Sequence, residues 1–473
     1  MKRFLLILLC AMICGVSCAC VMGDGGEGLV EGTSDAFDNV ESEGVESEGV
    51  ESDESPSGET DFFLDFTLDL LPLFPNPDRD PDYEDKINSF LNFVMDEFGE
   101  DALKGVYLDI KKYGYSDEIW IDRTGNSISV LETLFRGEEN DESVRIISLG
   151  STKDEGKRTV MTFGGDVCFA DNYATMPYML RKGKGLAYCF AEEWFDIMRS
   201  ADVAMVNNEF SISDRGSPMK HKTYTYVAKP EHTKYYGELG IDFVTLANNH
   251  VFDYGEDAFY DTLDTLDEYG IDYAGAGRNA RDAQKSFYYV INGRKIGFIS
   301  ATRAEKNILT PEATEGSPGV FRCYDNERLL EVIAETEEEC DFLVLFLHWG
   351  TEYSPKLERV QKTTSHEYVD AGADLIIGTH AHMLQGIEFY NGKAIFYNLG
   401  NFWFNAKTIE TGLVKLELDG DGNAEYYFIP GMQAGCKVSY ELGTETGRMI
   451  FDHLESYEDG IVIDDDGRVR PEN

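Results

Sequence analysis

At 473 residues, with 42% apolar and 12% aromatic side chains, the chain is long enough for two or more folded units and a sizeable core. Its formal charge of −47 excludes non-specific binding to nucleic acid or to an anionic membrane surface. The same charge means that any anionic substrate needs a local positive centre.

The chain opens with MKRFLLILLCAMICGVSCAC. Lys2 and Arg3, an apolar stretch of about a dozen residues and then small residues form the layout of an export signal rather than of a spanning helix. Gly15-Val16-Ser17-Cys18 resembles a bacterial lipobox with Cys18 as the lipidated residue. That implies a lipid anchor on the outer face of the cytoplasmic membrane; cleavage near Ala19 with release is the alternative. Cys10, Cys14, Cys18 and Cys20 lie in this segment, whereas Cys168, Cys189, Cys323, Cys340 and Cys436 are scattered without a framework spacing and are expected as small buried hydrophobes.

Residues 21–60 are low in complexity, with VESEG at 40–44 repeated at 45–49. Like charges with almost no large apolar side chains make an extended, self-repelling tether. Residues 61–150 are expected as a small accessory α/β region. In it Ile87, Phe90, Phe93, Val94 and Phe98 recur at helical spacing, Glu118-Ile119-Trp120-Ile121 reads as a strand, and ISVLETLFRG reads as a helix.

Past the linker at 150–158, apolar runs at 160–163, 203–206, 243–246, 296–299, 342–347, 375–377 and 394–397 alternate with helical patterns such as FYDTLDTLDEYG. This alternation predicts an α/β domain over 159–430, followed by a C-terminal extension at 431–473. Two further strands are expected around the turn Asp419-Gly420-Asp421-Gly422.

Polar residues end these strands. VMTF runs into Asp166, VAMV into Asn207-Asn208-Glu209, FVTLA into Asn248-Asn249-His250, FLVLFL into His348, and DLIIG into His380 and His382. Ligands of open α/β sheets bind along the carboxyl edge. Alternate residues of an extended segment point the same way, so His380 and His382 are expected to face one point. Carboxylates, amides and imidazoles together suit Mn, Fe or Zn, and a carboxylate bridging two ions makes a two-metal centre plausible.

The segments GGDVCFADN, NNEFSISDRGSP, KTYTYVAKPE, LANNHVFDYG, LHWGTEY and GTHAHMLQGIEFYNGKAIFYNLGNFWF resemble, in order, the CapA family of poly-γ-glutamate capsule biosynthesis proteins. The resemblance covers roughly 159–405. It implies a calcineurin-like metallophosphoesterase-type sandwich of mixed sheets flanked by helices, with the small N-terminal unit added. It further implies that Asp166 is a metal ligand, Glu209 the bridging acid, Asn249 a ligand of a second ion, and His348, His380 and His382 the remaining ligands. His250 would be the proton donor to a leaving oxygen. The chain departs from calcineurin-like enzymes at Val167-Cys168, where those have a DxH histidine, so a one-ion centre stays open beside a two-ion one.

Lys220, Lys222, Tyr224 and Tyr226 form a basic-aromatic loop that could receive carboxylates or phosphates, and Arg278 in GAGRNAR is a further candidate. Asp253 is expected to orient His250 or its loop; His232, His366 and His453 are expected to be structural. A bound divalent ion lowers the pKa of water from about 15.7 to about 7, which suits phosphoester or amide hydrolysis. Three readings follow: a surface-anchored protein serving an anionic polymer beside membrane-bound capsule synthesis subunits, an extracellular metal-dependent phosphoesterase, and a non-catalytic polymer-binding module.

Overall fold

In the run FLVLFLHW, every residue of strand Phe342–Trp349 is buried. Phe342, Val344 and Phe346 join one apolar cluster, and Leu343, Leu345 and Leu347 join another. A strand apolar on both faces has to be covered on both, so this sheet lies inside the protein. The computed structural model describes residues 83–113, 117–138, 141–149, 158–304, 309–458 and 460–472. The expected export signal, Cys18 and the expected acidic tether lie outside those residues.

Seven strands form the first sheet, in the order Val144–Ile146, Phe287–Ile291, Arg294–Thr302, Phe342–Trp349, Leu375–His380, Lys393–Phe396 and Ile387–Tyr390. Its centre is parallel, and Phe287–Ile291 and Ile387–Tyr390 join it antiparallel. The second sheet has ten strands. Thr159–Val167, Val203–Asn208, Phe243–Thr245 and Asp272–Ala274 run parallel in it, and Ile409–Leu418 and Ala424–Ala434 add antiparallel strands.

Phe163, Met205 and Phe243 of the second sheet pack against Phe298, Phe346 and Ile377 of the first. Phe163 and Phe346 lie 5.7 Å apart between ring centroids. Each such side chain contributes about 2–3 kcal/mol by leaving water. Helices Glu192–Ser200, Lys234–Leu239 and Glu256–Tyr269 cover the outer face of the ten-stranded sheet through Trp194, Tyr236 and Leu263. Glu327–Glu337 and Arg359–Asp370 cover the other sheet through Leu329, Ile333 and Tyr368. The result is a sandwich of mixed sheets flanked by helices.

Residues up to Gly99 and residues from Glu100 belong to separate units. The described part of the first is helix Tyr83–Phe98, with Ile87, Phe90 and Val94 buried at helical spacing. In the second unit, strand Val144–Ile146 pairs in parallel with Phe287–Ile291, so this stretch supplies an edge strand to the main sheet. The 118–121 run is not a strand: it lies in helix Asp117–Thr124. Ile119, Trp120 and Ile121 are all buried there, and acidic residues start the helix while Arg123 ends it, which suits its dipole. Strand Ala424–Ala434 runs through residue 430, and Lys437–Tyr440, Ile461–Ile463 and Arg468–Pro471 extend the same sheet. Among the described residues no helix is long and apolar enough to cross a membrane. Cys168, Cys189, Cys323 and Cys436 are buried free thiols.

Candidate metal centre

Strand parity delivers most of the polar cluster. Val203 and Met205 face the space between the sheets, and Asn207 and Glu209 continue that parity; Ala204 and Val206 face the helices. Asn208 accordingly turns outward and accepts a hydrogen bond from the Tyr236 hydroxyl at 2.7 Å. His348 continues the inward series of Phe342, Val344 and Phe346. Asp166 would face outward in a regular strand, but the pairing of Thr159–Val167 with Val203–Asn208 shifts register between Phe163 and Asp166. That irregularity puts the carboxylate on the inner side.

His380 and His382 arrive differently. Leu375 and Ile377 face inward, so strict alternation would turn Thr379 inward and both histidines away. The backbone breaks the alternation: φ is 94° at His380 and 56° at His382. Both lie in the left-handed region that non-glycine residues rarely occupy, a strain found at functional sites. The two imidazoles do converge, but through a turn rather than along an extended strand.

The assembled donors fall into two sets. Glu209, His348 and His380 have ligand atoms within 4.8 Å of one another, and so do Asp166, Glu209 and His382. Glu209 belongs to both. Its Oε1 lies 3.8 Å from His348 Nε2 and 3.9 Å from His382 Nε2. All five residues are buried, and among the described residues Glu209 Oε1 has no hydrogen-bond partner. A fully buried carboxylate oxygen without a donor is costly, and facing imidazole nitrogens relieve it only if a cation or proton sits between them. The carboxylate and imidazole set suits Mn, Fe or Zn. On these grounds the residues fit divalent metal.

Asn207 ties the sets together. Its Nδ2 donates to Asp166 Oδ1 at 2.8 Å and lies 3.3 Å from His348 Nδ1. Its Oδ1 accepts from the Thr245 hydroxyl at 3.0 Å and from Asn248 Nδ2 at 3.1 Å. Asn249 Oδ1 lies 2.7 Å from His348 Nε2. The Thr379 hydroxyl, 2.9 Å from His348 Nδ1, can donate or accept, so the ring can change tautomer when Nε2 takes up a cation. Asn401 Oδ1 lies 2.7 Å from His382 Nδ1 and is placed to accept its proton, which leaves Nε2 as a lone pair toward Glu209.

Protonation follows from burial. Glu209 is held well above the usual carboxylate range by burial and then by the charge of Asp166. His348 and His380 are pushed well below the usual imidazole range, by burial first and by the neighbouring imidazoles second. Neutral imidazoles are the form that binds metal.

Beside the centre, His250 Nδ1 lies 2.6 Å from Asp253 Oδ2, and His250 Nε2 lies 3.8 Å from Glu209 Oε1. Burial lowers the His250 pKa and Asp253 opposes that. With its Nδ1–H donated to Asp253, the neutral ring turns a lone pair into the site. It can accept a proton there first and return it later. Asp253 is itself fixed by Lys222 Nζ, 2.7 Å from Oδ1, and by the Tyr226 N–H, 2.7 Å from Oδ2.

The candidate anion-binding residues are thus divided. Lys222 is buried against Asp253 and also donates to the Asn249 carbonyl. Tyr226 is buried with its ring 4.5 Å from that of His250. Tyr224 is exposed and stacks on Tyr226, and Lys220 is exposed. Arg278 pairs with Asp264 and packs over Tyr260, outside this cluster. His232, His366 and His453 pair with Asp171, Glu388 and Glu410. Cys168 joins the apolar cluster on the helix side and belongs to neither donor set. Asn401 was not singled out in the sequence, and Asn207 was read only as a strand-ending amide without a role of its own; the signal of each is an amide inside an otherwise apolar segment.

A family profile described as "Bacterial capsule synthesis protein PGA_cap" matches residues 160–406, slightly more than half of the chain. The chain is 35% identical over 210 residues to "Capsule biosynthesis protein CapA" of Bacillus anthracis, covering 43% of this chain and 50% of that protein. It is 31% identical over 239 residues to "PGA biosynthesis protein CapA" of Bacillus subtilis (strain 168), covering 50% and 62%. The chain therefore spans about half to three fifths of the length of these curated relatives.

Proposed function

The chain belongs to the PGA_cap family of bacterial capsule synthesis proteins, and on that premise we propose that it is an exported protein, held at the cell surface by a lipid on Cys18, whose divalent-metal centre serves the synthesis, export or anchoring of an anionic polymer such as poly-γ-glutamate. The observation that carries the metal part is Glu209: one fully buried carboxylate shared by two donor sets, with an oxygen that no group among the described residues satisfies. Asp166, Glu209, Asn249, His348, His380 and His382 would hold the metal. When bound, it supplies positive charge in a strongly acidic protein and polarises the group it contacts. Membrane-bound capsule synthesis subunits would be the partners.

The His250–Asp253 pair favours a hydrolytic role over a purely binding one. A ring held by a buried carboxylate with its free nitrogen turned into the site is placed to move a proton, and a binding module has no need of it. Asp253 fixes the tautomer, Lys222 holds Asp253 in place at 2.7 Å, and the low exposure of the donors excludes bulk water.

Elemental analysis of the purified protein tests the reading. Wild type is expected to carry divalent metal, and Asp166→Ala, His348→Ala and His382→Ala each to lose most of it; full occupancy in all three variants would reject the site. Asp253→Asn is expected to keep metal while lowering turnover of a generic phosphoester or of a γ-linked glutamate oligomer by roughly 10²–10⁴. Absence of turnover in metal-loaded wild type would favour the polymer-binding role.

A further inference from the structure

In the loop after Glu209, Lys222 is poorly placed to receive substrate, since it is committed to Asp253. A different cation stands two ring contacts from the centre. Lys407 is exposed, and its ammonium lies 3.5 Å from the centroid of the Tyr353 ring. Among the described residues it makes no ion pair with a carboxylate. In a chain with 88 acidic and 41 basic residues, an ammonium that faces a ring rather than an acid is available to an incoming anion.

Both partners are held in place. The backbone N–H of Lys407 donates to Asn405 Oδ1 at 2.9 Å. Gln433, fully buried, donates from Nε2 to the Lys407 carbonyl at 3.3 Å, while its Oε1 accepts from the N–H groups of Phe404 and Asn405. Phe404 of the same loop packs on His382 with centroids 4.6 Å apart. Tyr353 has φ of 54°, a strained value for a bulky residue, and its N–H donates to the Ala381 carbonyl at 2.8 Å. Its ring lies 5.6 Å from that of His382. Ring, ammonium and His382 thus form one contiguous series leading away from the metal donors.

We propose that Lys407 and Tyr353 form a carboxylate subsite beside the metal centre, which holds a side-chain carboxylate of a polymer one repeat away from the group at the metal. The inference rests on the polymer reading given above. A repeating polyanion explains why a positive group should stand two ring contacts from the centre rather than in it. Glu352, exposed and adjacent in sequence, opposes the same anion and serves as an internal control.

Calorimetric titration of the metal-loaded full chain with a short γ-linked glutamate oligomer, and separately with inorganic phosphate, tests this. Lys407→Met is expected to weaken oligomer binding about five- to tenfold, with metal content and phosphate affinity unchanged. Tyr353→Leu should weaken the oligomer in the same way, and Glu352→Gln should strengthen it. Wild-type oligomer affinity in Lys407→Met would overturn the subsite and leave the polymer reading standing. Wild type that holds metal and binds phosphate but no oligomer would overturn both. Equal loss of phosphate and oligomer affinity in Lys407→Met would also overturn the subsite, because the lysine would then act on the centre itself.

Discussion

Glu209 is the side chain shared by both candidate donor sets. Without a cation its Oε1 is buried and unsatisfied. Glu209→Gln is therefore expected to abolish metal binding and yet to make the chelated protein more stable than chelated wild type, by about 1–3 kcal/mol in denaturant unfolding. The pH dependence separates two contributions. The Glu209 pKa is raised on folding, so its contribution is present below the unfolded value of about 4.3 and is lost as pH rises through the folded value. The pKa values of His348 and His380 are depressed, so their contribution is present above about 6.5 and is lost as pH falls through the folded values. Melting temperatures of the chelated protein across pH should show both limbs, and Glu209→Gln should remove only the rising-pH loss. A flat profile in wild type would contradict the assignment. Metal uptake near neutral pH should release protons, since Glu209 must ionise to bind.

Glycines decide whether the strands can bring these side chains together. A Cβ on Gly165 would lie 1.9 Å from the Gly400 carbonyl oxygen, and one on Gly378 would lie 1.9 Å from that of Tyr397. In their place the Asp166 N–H donates to Gly400 at 2.8 Å and the Leu399 N–H donates to Gly378 at 2.9 Å. The segment 397–400 thus pins one strand of each sheet. Gly165→Ala and Gly378→Ala should each cost more than about 2 kcal/mol and lower metal content, whereas Gly183→Ala, with open space around it, should cost about 1 kcal/mol from its backbone alone. At this scale the strands were legible, because apolar runs ending in acid, amide or imidazole are unusual. The helix at 117–124 was not, because three consecutive apolar residues suit either a covered helix or a covered strand. The meeting of His380 and His382 was anticipated for the wrong reason: positive φ at two non-glycine residues leaves no mark on a sequence.

For the whole molecule, the charge of −47 sets the approach of any polyanion. Association of a γ-glutamate oligomer should speed up as ionic strength rises from about 10 to about 150 mM, since screening weakens the net repulsion, and stopped-flow rates would show it. A fall in rate would mean that a local positive field governs the encounter. Alternation of apolar runs with helical patterns pointed to the α/β domain and to the polar ends of its strands, whereas the sandwich was expected only from the family resemblance. The strands after residue 430 did not, because their partners are set by long-range pairing within a sheet of ten. Asp166, Glu209 and Asn207 come from one sheet, while His348 and His380 come from the other. His382 completes its geometry only with Asn401. A nascent or threaded chain, emerging N-terminus first, has no finished binding place until its last third is out. An ion held by these residues would then have to come from whichever compartment receives that final portion, and the supply of metal there, rather than where synthesis begins, would decide which element is bound.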